Sequence, residues 1–325
     1  MKIVKIIIGI GVLFLLFSCE KEQVKMPKAE ATINKELLTI NESMIISFTG
    51  IADQVVVYPG DNMHDYNLHD QSNTGLVVDK NLFTYSYAVP GVYKVVCLAS
   101  TSGDLATNLK FDTCSFTVTV IDDVTEIDRL SCPQVIRDEV FASKQANDEW
   151  LMVLPRKVLY NNRPQNVSIT SQRLKFYIQS DSTKVFVNGS EFVATTGYNL
   201  SAPVDISVKS NYGTNRPYKL YTINYPEFAT FKLSGVDGVE TLNIYDYSAY
   251  IWNVTLPSGT DASNLAPEFT TFSTAEKVYI GNTEQSSGVS KVDFTKPVTY
   301  RLVSTLPDKP GMQAESKVII NVSFK

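Results

Sequence analysis

The sequence predicts an all-β chain of three consecutive β-sandwich domains behind an apolar N-terminal segment. After residue 19 helical periodicity is nearly missing, whereas short runs of alternating β-branched and aromatic residues recur between turn residues. Such spacing is typical of β-sandwiches. The length of 325 residues suggests two or three domains, and a hydrophobic content of 44% is ordinary for chains that bury cores. Clear strand runs cover residues 44–48, 54–58, 93–98, 115–120, 184–187 and 204–208. The only predicted helix, over residues 140–149, is short and weakly patterned.

The first residues have the order of a secretory signal peptide. Lys2 and Lys5 form a short basic start, an apolar run covers residues 6–17, and Ser18 and Cys19 follow. A single N-terminal membrane helix is the alternative, but a spanning helix needs about 20 apolar residues. We therefore expect an exported protein with a signal peptide at residues 1–18.

The cysteine behind the apolar run resembles a bacterial lipobox. The resemblance implies that Cys19 is lipidated, becomes the first mature residue and begins a tether over residues 19–28. Residues 20–23 (Glu-Lys-Glu-Gln) resemble the acidic signal that sends some Bacteroidetes lipoproteins to the cell surface, although a solvated tether would have the same composition. We expect an outer membrane lipoprotein that is held by N-terminal acyl chains and faces the cell exterior, with the periplasmic face as the alternative.

Residues 29–121 resemble a PKD-like domain of the immunoglobulin type. Pro90-Gly91 makes a tight turn, and Tyr93 and Val95 follow it on one strand face, as in the signature of that family. The family's Trp-Asp-Phe-Gly-Asp is replaced by Val-Tyr-Pro-Gly-Asp at residues 57–61. The resemblance implies the fold, but that departure puts the family's usual site in doubt.

Residues 122–225 and 226–325 form an internal duplication. Residues 150–155 match 252–257, residues 184–187 match 277–280, and residues 199–204 match 293–298. Each copy ends in a strand, at residues 220–224 and 318–322. Matches in the same order over such a length indicate tandem homologous domains.

The second copy resembles an uncharacterised β-sandwich repeat of Bacteroidetes surface lipoproteins. It carries the Pro, Gly-Thr-Asp and Leu-x-Pro elements of that repeat between Pro257 and Pro267. The first copy has Arg156-Lys157 where Gly-Thr-Asp would stand. The resemblance implies immunoglobulin-like sandwiches but no settled activity.

Candidate catalytic groups are sparse. Histidine occurs only at His64 and His69, which share one polar loop without a recognised metal motif, so a solvated loop is the favoured interpretation. No Gly-x-Ser-x-Gly elbow exists, and nothing singles out a pair of carboxylates. We predict no catalytic residue, no metal site and no cofactor. A net charge of −5 without a basic cluster excludes nucleic acid as a partner.

The aromatic residues divide into core and loop candidates. Trp150 and Trp252 occupy equivalent strand positions whose alternation faces the core. Tyrosine in loops combines an apolar body with a polar tip, which suits ligand binding. The candidate ligand-binding residues are Tyr245, Tyr247, Tyr198 and Tyr212.

The cysteines after Cys19 form an odd set. Cys97, Cys114 and Cys132 allow at most one internal disulfide. Strand parity predicts that Cys97 and Cys114 lie on neighbouring strands and face the core, where they could form that bond. No role is predicted for Cys132.

These expectations point to a binding protein rather than an enzyme. We expect a non-catalytic, membrane-anchored surface binding or accessory protein whose partner is an extracellular glycan or glycoprotein, within a nutrient-uptake system. The alternative is a structural or adhesive stalk that contacts other proteins. An exposed aromatic platform would favour the surface binding protein, and a polar surface with rigid contacts between domains would favour the stalk.

The lipobox predicts that Cys19 is acylated. Replacing Cys19 by Ala should abolish labelling by a palmitate analogue and should shift the protein out of the detergent phase. A Cys19→Ala chain that still takes label and still partitions into detergent would contradict the lipobox.

Overall fold

The computed structural model describes residues 24–103, 108–133, 135, 139–161, 163–243 and 246–325. In this part the chain is built from β-strands, with one short 3-10 turn at Tyr66–Leu68, so the all-β prediction is confirmed. It divides into two compact units, unit 1 up to Asp123 and unit 2 from Val124 to Lys325. The predicted signal peptide and Cys19 lie outside the described residues.

No helix in the described part of the chain has the length and apolar content needed to cross a membrane.

Unit 1 is a β-sandwich with a parallel pair at one edge. Its described strands are β1 (Ala31–Ile33), β2 (Leu37–Thr39), β3 (Ser43–Phe48), β4 (Gln54–Tyr58), β5 (Leu76–Val77), β6 (Leu82–Ser86), β7 (Gly91–Thr101) and β8 (Lys110–Ile121). One sheet has the order β1-β3-β6, and the other has the order β2-β8-β7-β4-β5, in which β2 is parallel to β8. Phe48 of the first sheet packs against Val55 and Ala99 of the second, so the core lies between them.

The cysteines of unit 1 lie where strand parity predicts. Cys97 of β7 and Cys114 of β8 are directly opposite each other, and Cys97 is buried while Cys114 is half-buried. Both are free thiols in this structure, as is the buried Cys132. Burial raises the pKa of the Cys97 thiol and that of the Cys132 thiol to about 12, which disfavours the thiolate. The disulfide between Cys97 and Cys114 stays a prediction.

Unit 2 contains two sets of strands. The strands of the first copy are β9 (Arg129–Cys132), β10 (Val140–Phe141), β11 (Ser143–Lys144), β12 (Glu149–Leu154), β13 (Lys157–Tyr160), β14 (Arg163–Asn166), β15 (Lys175–Tyr177), β16 (Lys184–Val187), β17 (Ser190–Glu191), β18 (Val204–Lys209) and β19 (Asn215–Asn224). Those of the second copy are β20 (Phe228–Leu233), β21 (Val236–Asp237), β22 (Val239–Leu242), β23 (Ala249–Leu256), β24 (Glu268–Thr271), β25 (Glu276–Ile280), β26 (Thr283–Glu284), β27 (Val298–Leu306) and β28 (Lys309–Phe324).

The two copies have the same topology. The larger sheets have the orders β11-β12-β19-β18-β16-β17 and β22-β23-β28-β27-β25-β26, and the smaller ones β10-β9-β15 and β21-β20-β24. In each copy the strand that carries the tryptophan pairs in parallel with the last strand. The sequence match between the copies therefore corresponds to a repeated strand order.

The helix predicted over residues 140–149 is wrong. Val140 and Phe141 pair with β9, and Ser143 and Lys144 pair with β12. Asn147 and Asp148 turn the chain with positive φ angles of 59° and 58°. Long-range strand pairing therefore overrides a weak local helical pattern.

Both tryptophans are core residues, as their strand positions predict. Trp150 is 2% exposed and Trp252 is 6% exposed, and each belongs to the hydrophobic core of its own copy. Trp252 packs near Phe228 and Phe231, with ring centroids 6.5 and 6.3 Å away. The tryptophans hold the sandwiches together and are not available as a ligand platform.

An apolar patch joins the two copies. Leu151 of β12 and Tyr221 and Ile223 of β19 point away from the first core and pack against Met312 and Ala314 of β28. Because alternate residues of a strand face opposite sides, these strands bury one face in their own core and the other against the second copy.

Buried charges surround the same contact, which we call the junction. Arg156 donates to Glu276 at 2.6 Å, and Lys157 Nζ lies 2.8 Å from Glu240 and 3.4 Å from Glu227. The side chains of Glu227 and Glu276 are fully buried. The two cations stand in the first copy at the place where its sequence departs from the repeat, and they pair with carboxylates of the second.

The charge around Arg156 and Lys157 is unbalanced, since three carboxylates share these two cations. Burial raises the pKa of Glu227 to about 7, and Lys157 only partly offsets this effect. Burial also raises the pKa of Glu276. For Lys157, burial disfavours the charged form, but Glu240 and Glu227 outweigh it and raise the pKa.

Emptying the site of Trp252 should destabilise unit 2. Trp252→Ala removes a large side chain from a closed core, so we expect a loss of about 3–5 kcal/mol in the free energy of unfolding. Urea unfolding followed by circular dichroism measures this loss, with Tyr160→Ala, which truncates an aromatic residue that is 61% exposed, as the control. Unchanged stability together with lost ligand binding would make Trp252 a recognition residue instead.

The buried Glu227 should make unit 2 less stable as the pH rises. Its pKa is about 7 in the folded protein against 4.5 ordinarily. The contribution of the protonated carboxyl group to the free energy of unfolding is therefore fully present below pH 4.5 and is lost as the pH rises through 7. Glu227→Gln should match the stability of the parent chain at low pH, and above the raised pKa its free energy of unfolding should be about 3 kcal/mol higher. Tryptophan fluorescence reports unit 2 alone, because Trp150 and Trp252 are the only tryptophans.

Glu268→Gln is the matched control for Glu227→Gln, because Glu268 is an exposed carboxylate of the same copy. It should leave the pH profile of unfolding unchanged. A Glu227→Gln chain that keeps the parent profile, or that is less stable above the raised pKa, would show that Glu227 stabilises the junction as an ion.

Candidate functional site

The predicted loop tyrosines within the described part of the chain lie at separate places in unit 2. Tyr212 is 63% exposed at the turn between β18 and β19, and Tyr247 is half-buried in the loop before β23. Tyr198 stacks on Phe192 with ring centroids 5.9 Å apart, and its hydroxyl accepts a hydrogen bond from the Val193 amide at 2.9 Å. In the described residues no ring contact joins these tyrosines to one another, and Tyr245 lies outside that part of the chain.

The strongest local arrangement is the polar loop that follows β4 in unit 1. The loop turns at Gly60, whose φ is +87° and where a Cβ would lie 2.5 Å from the Lys94 carbonyl oxygen. Only glycine combines that backbone conformation with so close an approach. The buried Tyr87 hydroxyl donates to the Pro59 carbonyl at 2.8 Å and fixes the start of the loop.

Asp61 organises the first half of this loop. Its Oδ1 accepts from the amides of Met63 and His64, both at 2.9 Å, and lies 3.0 Å from His64 Nδ1. Its Oδ2 accepts from the Tyr85 hydroxyl. Burial alone would raise the pKa of Asp61, but the hydrogen bonds from Tyr85, Met63 and His64 outweigh it and lower the pKa. The carboxylate therefore stays ionised and holds the loop closed.

The second half of the loop presents a stacked ring pair. The Asp65 side chain accepts from the Asn67 amide at 2.8 Å and caps the 3-10 turn at Tyr66–Leu68. His69 Nδ1 lies 2.9 Å from the Tyr66 carbonyl oxygen, and because a carbonyl only accepts, this nitrogen carries the hydrogen. The rings of Tyr66 and His69 stack with centroids 4.8 Å apart and 13° between planes.

A cleft of about 510 Å³ lies between this ring pair and the outer face of β7 and β8. Cys97 faces the core, so Leu98 faces outward, and Thr113 lies directly opposite Leu98. Phe111 has the same parity as Thr113 and is 57% exposed. We call this the unit 1 cleft; its lining consists of Tyr66, His69, Asp70, Leu98, Phe111, Asp112 and Thr113.

The lining of the unit 1 cleft joins aromatic surfaces with one exposed carboxylate, that of Asp70, whose side chain is 90% exposed. Asp112 has the parity of the core residues of β8, and its side chain turns to the other side of the sheet, where Oδ2 accepts from the Ala29 amide at 2.8 Å. Among the described residues that line the cleft, none is lysine or arginine. This chemistry suits a ligand with an apolar face and hydroxyl donors.

The two histidines have structural partners. His64 contacts Asp61, and His69 is bonded to the Tyr66 carbonyl. Within the described ranges, no group of three or more histidine, cysteine, aspartate or glutamate residues could hold a metal ion.

A second cleft of about 380 Å³ lies on β27 and β28 of unit 2. Arg301 donates to Glu315 at 2.9 Å and lies over the Tyr279 ring at 4.7 Å, so its charge and its face are already engaged. The residues that line it are Ser248, Thr299, Tyr300, Arg301, Glu315, Ser316 and Lys317. Tyr247 precedes Ser248 in the chain, which places one predicted tyrosine next to this cleft in sequence.

Sequence analysis did not identify the unit 1 cleft, although it singled out the loop with both histidines. The available signal was Phe111, a large aromatic residue whose strand parity opposes that of the core residues of β8. That signal has meaning only once the loop is known to cover the outer face of the sheet.

Part of unit 2 matches a known family. Residues 229–308, within the second copy, match the family model described as SGBP, N-terminal. Comparison with curated proteins gives no match.

Solved structures give weak likenesses. A Bacteroides thetaiotaomicron protein provisionally assigned as a glycoside hydrolase is 25% identical over 31% of this chain and 25% of its own, with a TM-score of 0.23. Fibronectin(III)-like modules of Clostridium thermocellum CbhA are 12% identical over 60% of this chain and 95% of theirs, with a TM-score of 0.20. Carbohydrate-binding modules of the β-sandwich superfamily are 10% identical over 61% of this chain and 85% of theirs, with a TM-score of 0.24. This chain thus spans a quarter of the first of these structures, and no functional conclusion follows from likenesses at such scores.

Proposed function

We propose that this chain is a non-catalytic glycan-binding lipoprotein of the outer membrane that faces the cell exterior. The observation that carries the proposal is the match of residues 229–308 to the family of surface glycan-binding proteins. In this proposal the sandwich domains cover residues 29–121, 122–225 and 226–325, behind the tether of residues 19–28.

Membrane attachment in this proposal comes from the N-terminal segment. Its apolar run and Cys19 supply the acyl anchor, and the acidic residues 20–23 supply the surface signal. Members of the matched family are surface-exposed and associated with the outer membrane, which supports the same location.

The surroundings of the histidine and cysteine side chains support a binding role rather than a catalytic one. Both histidines have structural partners, and the thiols of Cys97 and Cys132 are buried and protonated. For ligand contact we retain Tyr212, Tyr247 and Tyr245 as candidates. Tyr198 is the least suited, because its ring and its hydroxyl are engaged within the first copy of unit 2.

A structural stalk is the second candidate, and the junction of unit 2 favours it. Buried ion pairs and an apolar patch hold the two copies together, which is what a spacer requires. The two roles are compatible, because a rigid spacer can carry a binding site.

Glycan binding without turnover is the expected outcome for the soluble chain that starts after Cys19. Affinity electrophoresis against neutral, uronate-containing and amino-sugar polysaccharides should show retardation by at least one of them, with a heat-unfolded sample as the control. No reducing ends should be released during incubation. Release of reducing ends would identify an enzyme. Capture of surface proteins without retardation by any polysaccharide would instead support the stalk.

A further inference from the structure

We propose that the unit 1 cleft is a sugar-binding subsite that accepts a pyranose ring without an anionic group. The proposal rests on the proposed function and adds to it the place of binding and the charge class of the ligand. Neither the family match, which lies in unit 2, nor the predicted tyrosines point to this cleft.

The apolar surfaces of the cleft fit the flat face of a sugar ring. The stacked rings of Tyr66 and His69 form one side, and the exposed ring of Phe111 forms part of the opposite side. A pyranose has an apolar face of C–H groups and an edge of hydroxyl groups. Pockets of this kind bind such ligands by apolar contact and orient them with a few polar groups.

The exposed carboxylate of the cleft is that of Asp70. Its side chain is 90% exposed beside the ring pair, and one of its oxygens lies 3.3 Å from His69 Nε2. A carboxylate only accepts hydrogen bonds, and its two oxygens together can accept several. Sugar hydroxyls can donate to Asp70 in bonds that the negative charge strengthens.

The charge of the lining selects against acidic sugars. Asp70 contributes negative charge, and no lysine or arginine stands among the described lining residues to bind a uronate or sulfate. Like charges brought together across an interface are strongly unfavourable. The cleft should therefore prefer a neutral glycan to an anionic one.

The subsite is already assembled in the free protein. The ring of Tyr66 packs edge-on against the buried Tyr58 with centroids 5.3 Å apart, and the bond to the Tyr66 carbonyl fixes His69. Asp61 and Gly60 hold the loop that carries both rings. A rigid platform avoids the ordering cost that a flexible loop would impose on binding.

The test uses the soluble chain that starts after Cys19 and measures affinity for the neutral polysaccharide that it retains most strongly. Phe111→Ala should weaken this binding tenfold or more, as expected for the truncation of an aromatic anchor. Phe111→Tyr keeps the ring and should retain affinity. Phe324→Ala is the matched control, because Phe324 is also exposed, at 52% against 57%, and lies in unit 2. Phe324→Ala should change the affinity less than twofold, as expected for a residue that contributes little to binding.

A second arm tests the charge class with polygalacturonate. The parent chain should bind it less tightly than the neutral glycan, and Asp70→Asn should reduce this discrimination. Tighter binding of polygalacturonate would overturn the assignment of a ligand without anionic groups. Parent affinity in a folded Phe111→Ala chain would overturn the subsite and leave the proposed function standing. Failure of the parent chain to bind any glycan would instead overturn the proposed function.

Discussion

The orientation of the two copies in unit 2 depends on the balance of buried charge at their junction. A buried carboxylate must be neutralised by a cation or by a proton. Glu276 therefore lies against Arg156, while Glu227 lies 3.4 Å from Lys157 and has a raised pKa. The apolar patch around Leu151 can make its contacts only in that same arrangement. Apolar burial supplies most of the attraction, and the ion pairs select one geometry from the many that an apolar patch would allow.

Strand parity was sufficient to predict the sandwich cores. It placed Trp150 and Trp252 inside, and it put Cys97 opposite Cys114, because alternation in a strand is a local property. The junction could not be predicted in this way. Arg156-Lys157 was visible as a departure from the repeat, but Glu276 lies 120 positions further along the chain. Only the docking of two complete sandwiches brings them together.

The unit 1 cleft, like the junction, could not be predicted from local sequence pattern. The polar loop was recognised from its composition, yet the stacking of His69 on Tyr66 follows from a 3-10 turn with a cap that composition does not specify. The choice of Tyr198 as a loop tyrosine did not take into account that its hydroxyl forms hydrogen bonds with the Val193 backbone. Position in a loop indicates which residues are able to reach solvent, and packing decides which of them do.

The positions that form the junction carry different residues in the two copies. By sequence equivalence, the second copy has Ser258-Gly259 where the first has Arg156-Lys157, and the first copy has Thr183 where the second has Glu276. A head-to-tail contact between identical repeats can add further molecules without end and grow into filaments. Here the second copy lacks counterparts of Arg156 and Lys157, and the first lacks a counterpart of Glu276. A further molecule therefore cannot repeat these ion pairs, and the charge asymmetry disfavours growth of the pair into a filament.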